Sequence, residues 1–208
     1  MPYVEAAVRR QQFVAAARTA LATHGVAKTS VRVVATEAGV ALATMQYIFP
    51  SKQELLRAVI EDVVDEVAQV LAESAATEHG LEHAIRQGLH TFWDRLVRGG
   101  RELQLLQYEL TIYALRTPGH ADVARLQYQR YAAVVADWCR RAAEQAGETA
   151  AVPFDRLARM IVAGVDGLIL QYVSDPDDAG AHERLEALAE MVVGLAGCAA
   201  SEQVDPPV

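Results

Sequence analysis

A short segment near the start of the chain, residues 29–52, carries side chains that suit contacts with duplex DNA. The amide of Gln46 can form two hydrogen bonds with the N6 and N7 edge of an adenine in the major groove, and small apolar side chains can touch a thymine methyl group. Hydroxyl and cationic groups bind phosphate oxygens, which position a protein without reading base sequence. The residues that we predict to contact DNA are Thr29, Arg32, Leu42, Ala43, Thr44, Gln46, Tyr47 and Lys52.

These assignments divide by role, and each has a plainer alternative. Gln46, Leu42 and Ala43 are the predicted base contacts, and the others are predicted phosphate contacts. Lys52 is placed at a helix N-terminus, where the helix dipole and its own charge both favour a phosphate. Taken singly, Lys52 and Arg32 are more commonly solvated surface charges, and Gln46 can orient Tyr47 instead of reading a base.

The elements that must hold these residues are two short helices and a turn. Apolar residues at helical spacing follow Thr29, and Gly39 supplies the positive φ of a tight turn. A second short helix is predicted over 42–48, and Ser51 with Glu54 forms a capping box for the next helix. This order predicts a helix-turn-helix, whose second helix lies in the major groove.

The remainder of the chain is predicted to be helical. A first helix is expected over about 4–23, and the helix capped at Ser51 continues as a long amphipathic rod. Five further helices are predicted at 81–98, 101–116, 119–145, 154–173 and 181–198. We therefore predict an all-α fold of about nine helices, with a helix-turn-helix DNA-binding domain at 1–57 and a helical effector-binding and dimerisation domain at 58–208.

The charge of the chain is unevenly distributed. The formal net charge is −8. Residues 1–57 contain 7 basic and 3 acidic residues, a net charge of +4, whereas residues 58–208 contain 12 basic and 24 acidic residues, a net charge of −12. Because salt screens charges beyond about 8–10 Å, a basic N-terminal part can attract phosphate although the whole protein is acidic.

Composition also argues against membrane and extracellular classes. The most apolar run, Met160–Val173, is interrupted by Asp166, so we expect no membrane span. Two isolated cysteines favour a reducing compartment over a disulfide framework or a zinc site, and the N-terminus lacks the apolar core of a signal peptide. We expect a cytoplasmic protein without metal or cofactor.

The helix-turn-helix segment resembles the tetracycline-repressor (TetR) family of bacterial one-component transcription regulators. The residues that carry the resemblance are Thr29-Ser30-Val31-Arg32, Ala35, Ala38-Gly39-Val40, Thr44, Phe49, Ser51-Lys52 and Glu54-Leu55-Leu56. This block covers about a quarter of the chain. Three positions depart from the usual family pattern: Gln46 replaces a Tyr, Ile48 replaces a His or Tyr, and Ala41 replaces the Ser that caps the recognition helix.

The resemblance implies a ligand pocket between helices five to eight. Candidate lining residues are aromatic and polar side chains within apolar helices, which resemble the apolar cavity with sparse polar groups of a small-molecule site. For any one of them an ordinary core position is the commoner alternative. The candidates are His90, Trp93, Tyr108, Glu109, Tyr113, Tyr131, Trp138 and Gln171. His83, Gln87 and His90 share a helix face, where an exposed or capping role is favoured over a metal site.

The resemblance also implies a homodimer formed mainly by the last two helices, at about 154–198. The first of these is apolar on most of its circumference, and Gly164 and Gly167 allow another helix to approach. A two-fold interface would set two recognition helices about 34–36 Å apart, one turn of DNA. Asp166 is a candidate for pairing at that seam.

Together these features predict a repressor released from a palindromic operator by a small apolar or aromatic effector. One alternative is a DNA-binding protein that recruits partners without a ligand. Another is a helical enzyme, which the sequence disfavours because it contains no G-x-S-x-G, no H-E-x-x-H and no phosphate-binding glycine loop.

Overall fold

The fold is predominantly helical in the residues that the structure, a computed structural model, describes: 2–74, 79–197 and 199–200. The α-helices are α1 (Pro2–His24), α2 (Val31–Glu37), α3 (Leu42–Ile48), α4 (Lys52–Ser74), α5 (Gly80–Phe92), α6 (Arg101–Arg116), α7 (Ala121–Ala146), α8 (Phe154–Ser174) and α9 (Asp178–Ala196). The predicted all-α fold is confirmed, and most predicted helix ends agree with the structure to within three residues.

The chain forms two compact units, each built from two separate stretches of sequence. Unit 1 contains residues 1–66 and 101–130, and unit 2 contains residues 67–100 and 131–208. Unit 1 therefore joins the N-terminal helices to α6 and the first part of α7. The predicted boundary between residues 57 and 58 divides the chain by function and stays a prediction.

Local signals in the sequence explain how the helix-turn-helix begins and ends. The Ser30 hydroxyl caps α2 by accepting the Val33 N–H at 3.3 Å, and Gly39 has the expected positive φ of 65°. No side chain caps α3, as the replacement of the usual serine by Ala41 predicts. The Ser51 hydroxyl accepts the Glu54 N–H at 3.1 Å, which is one half of the predicted capping box.

The structure contains three small elements that the sequence did not reveal. The chain continues from α5 into a π-helical turn, π1 (Trp93–Val97), where one straight helix to residue 98 was predicted. Two short strands, β1 (Glu148–Thr149) and β2 (Ala199–Ala200), pair antiparallel. Strands of two residues are too short to give an alternating pattern.

Helix α8 is the segment that bears on the expectation that no part of the chain spans a membrane. By length and composition alone it is apolar enough to cross a membrane, with a mean hydropathy of 1.3 over its best window, of which 33% is buried. One such helix is a weak indication, since apolar helices at protein interfaces satisfy the same criteria. Its exposed apolar surface is the feature that needs an explanation.

Candidate DNA-binding and effector-binding sites

Helix α3 separates a buried face from an exposed face. Met45 is fully buried and anchors the helix in unit 1. Ala43, Thr44 and Gln46 are exposed. Tyr47 is 89% exposed, more than any other large hydrophobic side chain in the described part of the chain. The side chains that we predicted to meet DNA are therefore free to do so, with Leu42 half-buried at the start of the helix.

Thr29 occupies a position different from the phosphate contact that we predicted. Its side chain is buried, and its hydroxyl lies 2.8 Å from the carbonyl oxygen of Gly25 and 3.2 Å from that of Ala20. A buried hydroxyl that donates to these carbonyls has no surface to offer a phosphate in this conformation. Thr29 instead fixes the turn between α1 and α2, and Ser30 is the residue that caps α2.

Lys52 also has partners within the protein. Its Nζ donates to the Val26 carbonyl at 2.5 Å and lies 3.4 Å from the Ala27 carbonyl. The same ammonium lies 4.3 Å from the centre of the Tyr113 ring, within range of a cation–π interaction. The lysine thus connects the turn after α1 to helix α6, a set of contacts that its place in the motif did not reveal.

Other cations of the N-terminal part are likewise held by acidic partners. Arg18 contacts Asp62 at 2.8 Å and Glu66 at 2.9 Å. Although burial disfavours its charge, hydrogen bonds to these two carboxylates raise the pKa of Arg18 above its ordinary value. Arg57 pairs with Asp122. Ion pairs of this kind hold α1 and α7 against α4 and leave fewer cations for DNA.

Three cations of the first 57 residues have no partner among the side chains that the structure describes: Arg9, Lys28 and Arg32. All three are exposed. Arg9 and Gln12 also line an open groove of about 440 Å³ that reaches Thr44 of α3. Of these three cations only Arg32 was predicted to contact DNA, because Arg9 and Lys28 lie outside the helix-turn-helix pattern.

The predicted effector-binding residues are divided between the two units. On α6 of unit 1, the Glu109 carboxylate accepts the Val26 N–H at 3.0 Å and the Tyr113 ring contacts Lys52. Both side chains thus contact the helix-turn-helix region, where a pocket role was predicted from their place in an apolar helix. Tyr108, on the same helix, is half-buried.

The other candidates belong to unit 2 and differ in exposure. Trp93 and Trp138 are buried, Tyr131 is half-buried and Gln171 is exposed. His90 is half-buried, with its Nε2 in contact with Glu186. His83 and Gln87 are exposed, and no cluster of three potential metal ligands occurs in the described parts of the chain.

Helices α8 and α9 pack against each other and leave one apolar stripe each on the surface. Gly164 is used within the chain, because a Cβ there would lie 2.4 Å from Leu188 of α9. Gly167 has nothing within 4 Å of a Cβ position. The exposed stripes, at helical spacing, are Met160, Ala163, Gly167 and Leu170 on α8 and Ala187, Met191 and Gly194 on α9.

Comparison with known protein families finds two family models that match successive parts of the chain. The sequence model described as bacterial regulatory proteins, tetR family, matches residues 13–59. The model described as tetracyclin repressor-like, C-terminal domain, matches residues 81–196. The first match contains the helix-turn-helix, and the second covers α5 to α9.

Individual relatives are similar over nearly their whole length. The HTH-type nicotine-responsive transcriptional repressor HdnoR of Paenarthrobacter nicotinovorans is 28% identical over 190 residues, which are 91% of this chain and 96% of that protein. The crystal structure of a TetR-family regulator from Rhodococcus sp. covers 90% of this chain and 98% of its own, with a TM-score of 0.74 and 20% identity. The multidrug binding protein EbrR, complexed with ethidium, covers 88% and 98%, with a TM-score of 0.66 and 26% identity.

Proposed function

The chain belongs to the TetR family of bacterial transcription regulators, and we propose that it represses transcription as a homodimer on a palindromic operator, from which a small aromatic effector releases it. The observation that carries the DNA-binding part is the exposure of the outer face of α3. Since the family consists of DNA-binding regulators, we interpret the chain as a transcription factor and not as an enzyme. We place its action in the cytoplasm, where the bacterial chromosome lies.

Base reading is assigned to α3. Gln46 is exposed and can pair with adenine, while Leu42 and Ala43 can contact a thymine methyl. Tyr47 and Thr44 are assigned to contacts with the phosphate or sugar groups that border the groove. Each bidentate contact contributes about 1–3 kcal/mol of discrimination against a wrong base.

Phosphate attraction is assigned to Arg9, Lys28 and Arg32, the exposed cations of the N-terminal part that have no partner among the described side chains. Each phosphate contact that releases counterions steepens the salt dependence of log K by about 0.9. A dimer with three such cations in each protomer would have a slope of about −5. Lys52 is assigned a positioning role, because its ammonium already binds two carbonyl groups and the ring of Tyr113.

A second copy of the chain is the proposed partner of α8 and α9. Met160 and Leu170 on α8, with Met191 on α9, leave apolar surface exposed at regular helical spacing. A two-fold axis between two such helix pairs forms a four-helix interface in which each stripe meets its own copy. Gly167 and Gly194, which have no neighbour within 4 Å of a Cβ position, allow the helices of the two protomers to approach closely.

The effector is assigned to unit 2. This unit holds most of residues 81–196, the region matched by the model of the tetracyclin repressor-like C-terminal domain. The relative HdnoR is described as nicotine-responsive, and EbrR is described as a multidrug binding protein complexed with ethidium. These relatives favour a nitrogen-containing aromatic effector for this chain. Such an effector releases DNA only if it binds the DNA-incompetent conformation more tightly than the competent one.

Footprinting of the purified protein on the DNA that flanks its own gene tests this function. We expect protection of a palindrome, and we expect Gln46→Ala and Tyr47→Ala to weaken that protection while leaving the protein folded. Thr19→Ala is the matched control, because Thr19 is exposed on α1 and its hydroxyl donates only within that helix. Undiminished binding by both α3 variants would contradict the assignment of α3 to DNA.

A further inference from the structure

Both tryptophans of the chain are buried in unit 2 with indole N–H groups that lack an acceptor. The sequence contains two tryptophans, Trp93 and Trp138. They are 0% and 3% exposed, and neither Nε1 has a hydrogen-bond partner among the described residues. Buried polar groups are nearly always paired in folded proteins, so an unpaired buried donor calls for an explanation.

Trp138 lies directly against the backbone of α5. A Cβ at Gly88 would be 2.3 Å from Cη2 of this indole. The glycine therefore makes room for the ring between α7 and α5, within unit 2. The benzene edge of the indole fills that space, and its pyrrole N–H is left without an acceptor.

Trp93 lies where α5 passes into the π-helical turn π1. The Tyr172 ring meets it edge-on, with 5.3 Å between the ring centres. The Tyr172 hydroxyl donates to Asp178 at 2.7 Å, and its oxygen is not within hydrogen-bonding reach of the Trp93 N–H. π-helical turns are rare and frequently lie at functional sites.

The charges of unit 2 indicate which ligands it can accept. This unit contains 8 basic and 17 acidic residues, a formal net charge of −9. The three arginines nearest Trp93 in the sequence are all paired with carboxylates. Arg86 of α5 pairs with Glu82 and Glu186, Arg95 of π1 pairs with Glu73, and Arg98 pairs with Asp178. An anionic ligand would find no unpaired cation on this segment, whereas a neutral acceptor needs none.

We propose that the effector is an aromatic compound without a negative charge that carries hydrogen-bond acceptors, such as a ring nitrogen or a carbonyl oxygen, and that the indole N–H groups of Trp93 and Trp138 donate to it. This inference rests on the proposed function, because it specifies the ligand of the regulatory unit. The solvent-accessible area of each Nε1 atom is below 1 Å². Binding therefore requires a conformation in which the helices around the indoles separate, which couples ligand recognition to a structural change.

The test uses the full-length protein labelled with ¹⁵N, in which two tryptophans give two indole N–H signals. Quinoline and isoquinoline carry a ring-nitrogen acceptor at different edges, and naphthalene has the same shape without an acceptor. We expect either heterocycle to bind about tenfold more tightly than naphthalene, as one hydrogen bond to an otherwise unpaired donor allows. We also expect at least one indole proton signal to move downfield, and we expect 1-naphthoate to bind more weakly than either heterocycle.

Variants separate the indole donors from general packing. Trp138→Phe and Trp93→Phe should each remove one indole signal and reduce the preference for the heterocycle over naphthalene. Phe154→Leu is the control, because it removes an aromatic ring of unit 2 that carries no donor, and it should leave the preference unchanged. The wild-type signals provide the test even if a tryptophan variant does not fold.

The outcomes distinguish this inference from the proposed function. Equal or tighter binding of naphthalene, binding that leaves both indole signals unmoved, or no binding of either heterocycle up to its solubility limit would overturn the assignment of the donors. A protein that behaves in this way yet protects an operator in the footprint retains the proposed function. Signals that respond as expected in a protein that protects no DNA would leave the donors assigned and reject the repressor function.

Discussion

The Glu109 carboxylate of α6 accepts a hydrogen bond from the backbone N–H of Val26, with 3.0 Å between the two atoms. Val26 is buried in the turn that leads from α1 to α2. The same carboxylate lies 3.3 Å from the Cβ position of Gly25, where any other residue would crowd it and would also be strained at a φ of 77°. Helix α6 thus holds the turn that sets the start of the helix-turn-helix.

Glu109→Ala should weaken both folding and DNA binding. The change leaves the buried Val26 N–H without an acceptor, which costs about 1–3 kcal/mol of the free energy of unfolding. Urea unfolding and fluorescence anisotropy with labelled operator DNA measure the two effects. Glu109→Gln retains an oxygen acceptor and should recover much of the loss, whereas Glu102→Ala, at an exposed position of the same helix, should change neither quantity. Equal effects of the Gln and Ala variants would contradict this role of the carboxylate.

Lys52→Ala should weaken operator binding without changing its dependence on salt. The lysine binds the Val26 and Ala27 carbonyls, so its loss disturbs the turn and releases no additional counterion. Arg32→Ala is the contrasting variant. It removes one phosphate contact from each protomer, and the slope of log K against log salt should become shallower by about 2 in a dimer. A comparable change of slope for Lys52→Ala would show that Lys52 contacts a phosphate, as predicted from the sequence.

Gly88→Ala should destabilise unit 2 by about 1–3 kcal/mol through overpacking, because the new methyl group collides with the Trp138 ring. Thermal unfolding measures the loss. In a double-mutant cycle, Trp138→Leu should relieve most of the penalty, since the two positions are in contact. Additive effects of the two substitutions would show that the collision is not the cause.

Met191→Glu should convert the dimer to a monomer and abolish tight operator binding. Met191 is 72% exposed on the apolar stripe of α9, and in a two-fold interface a buried carboxylate there would face its own copy. Analytical ultracentrifugation measures the assembly state. Leu115→Glu provides a matched control, because Leu115 is a 61% exposed apolar residue of α6 and belongs to neither stripe. Loss of the dimer in the control alone would place the interface elsewhere.

The Tyr172 hydroxyl should stabilise the folded protein at neutral pH, and this contribution to the free energy of unfolding should be lost at alkaline pH. The hydrogen bond to Asp178, with burial, raises the pKa of the Tyr172 hydroxyl above its ordinary value of 10.0. A group whose pKa is raised by folding stabilises the protein fully below its unfolded pKa, and this contribution is lost as the pH rises through the folded pKa. Stability should therefore fall more steeply above about pH 10 in the wild type than in Tyr172→Phe. Parallel curves for the two proteins would contradict the assignment.

The sequence predicted helix ends well because they depend on local chemistry. Gly25, Gly39 and Ser51 act within a few residues of their own position, through backbone freedom or a side-chain cap. The burial of Met45 and the exposure of Tyr47 likewise follow from helical spacing within α3. Local signals of this kind do not require knowledge of the tertiary fold.

The partners of polar side chains were less predictable, because they depend on which helices meet. Lys52 and Glu109 are 57 positions apart in sequence, yet the Lys52 ammonium donates to the Val26 carbonyl and the Glu109 carboxylate accepts the Val26 N–H. Periodicity shows that α6 is amphipathic but does not identify the neighbour that each face contacts. The buried position of Thr29 was not predictable either, since a threonine beside a helix start suits a cap, a turn or a phosphate equally well.

The discontinuous build of unit 1 limits how its DNA-binding specificity can be transplanted. A chimera that joins residues 1–57 to the body of another regulator would leave behind Glu109, Tyr113 and Asp122, the partners of Val26, Lys52 and Arg57. A functional graft must therefore carry residues 101–130 as well, or restore their side chains at the equivalent positions of the recipient. The helix-turn-helix of this protein is in that sense a module of two sequence segments, and exchanging only the first would transfer the reading residues without their support.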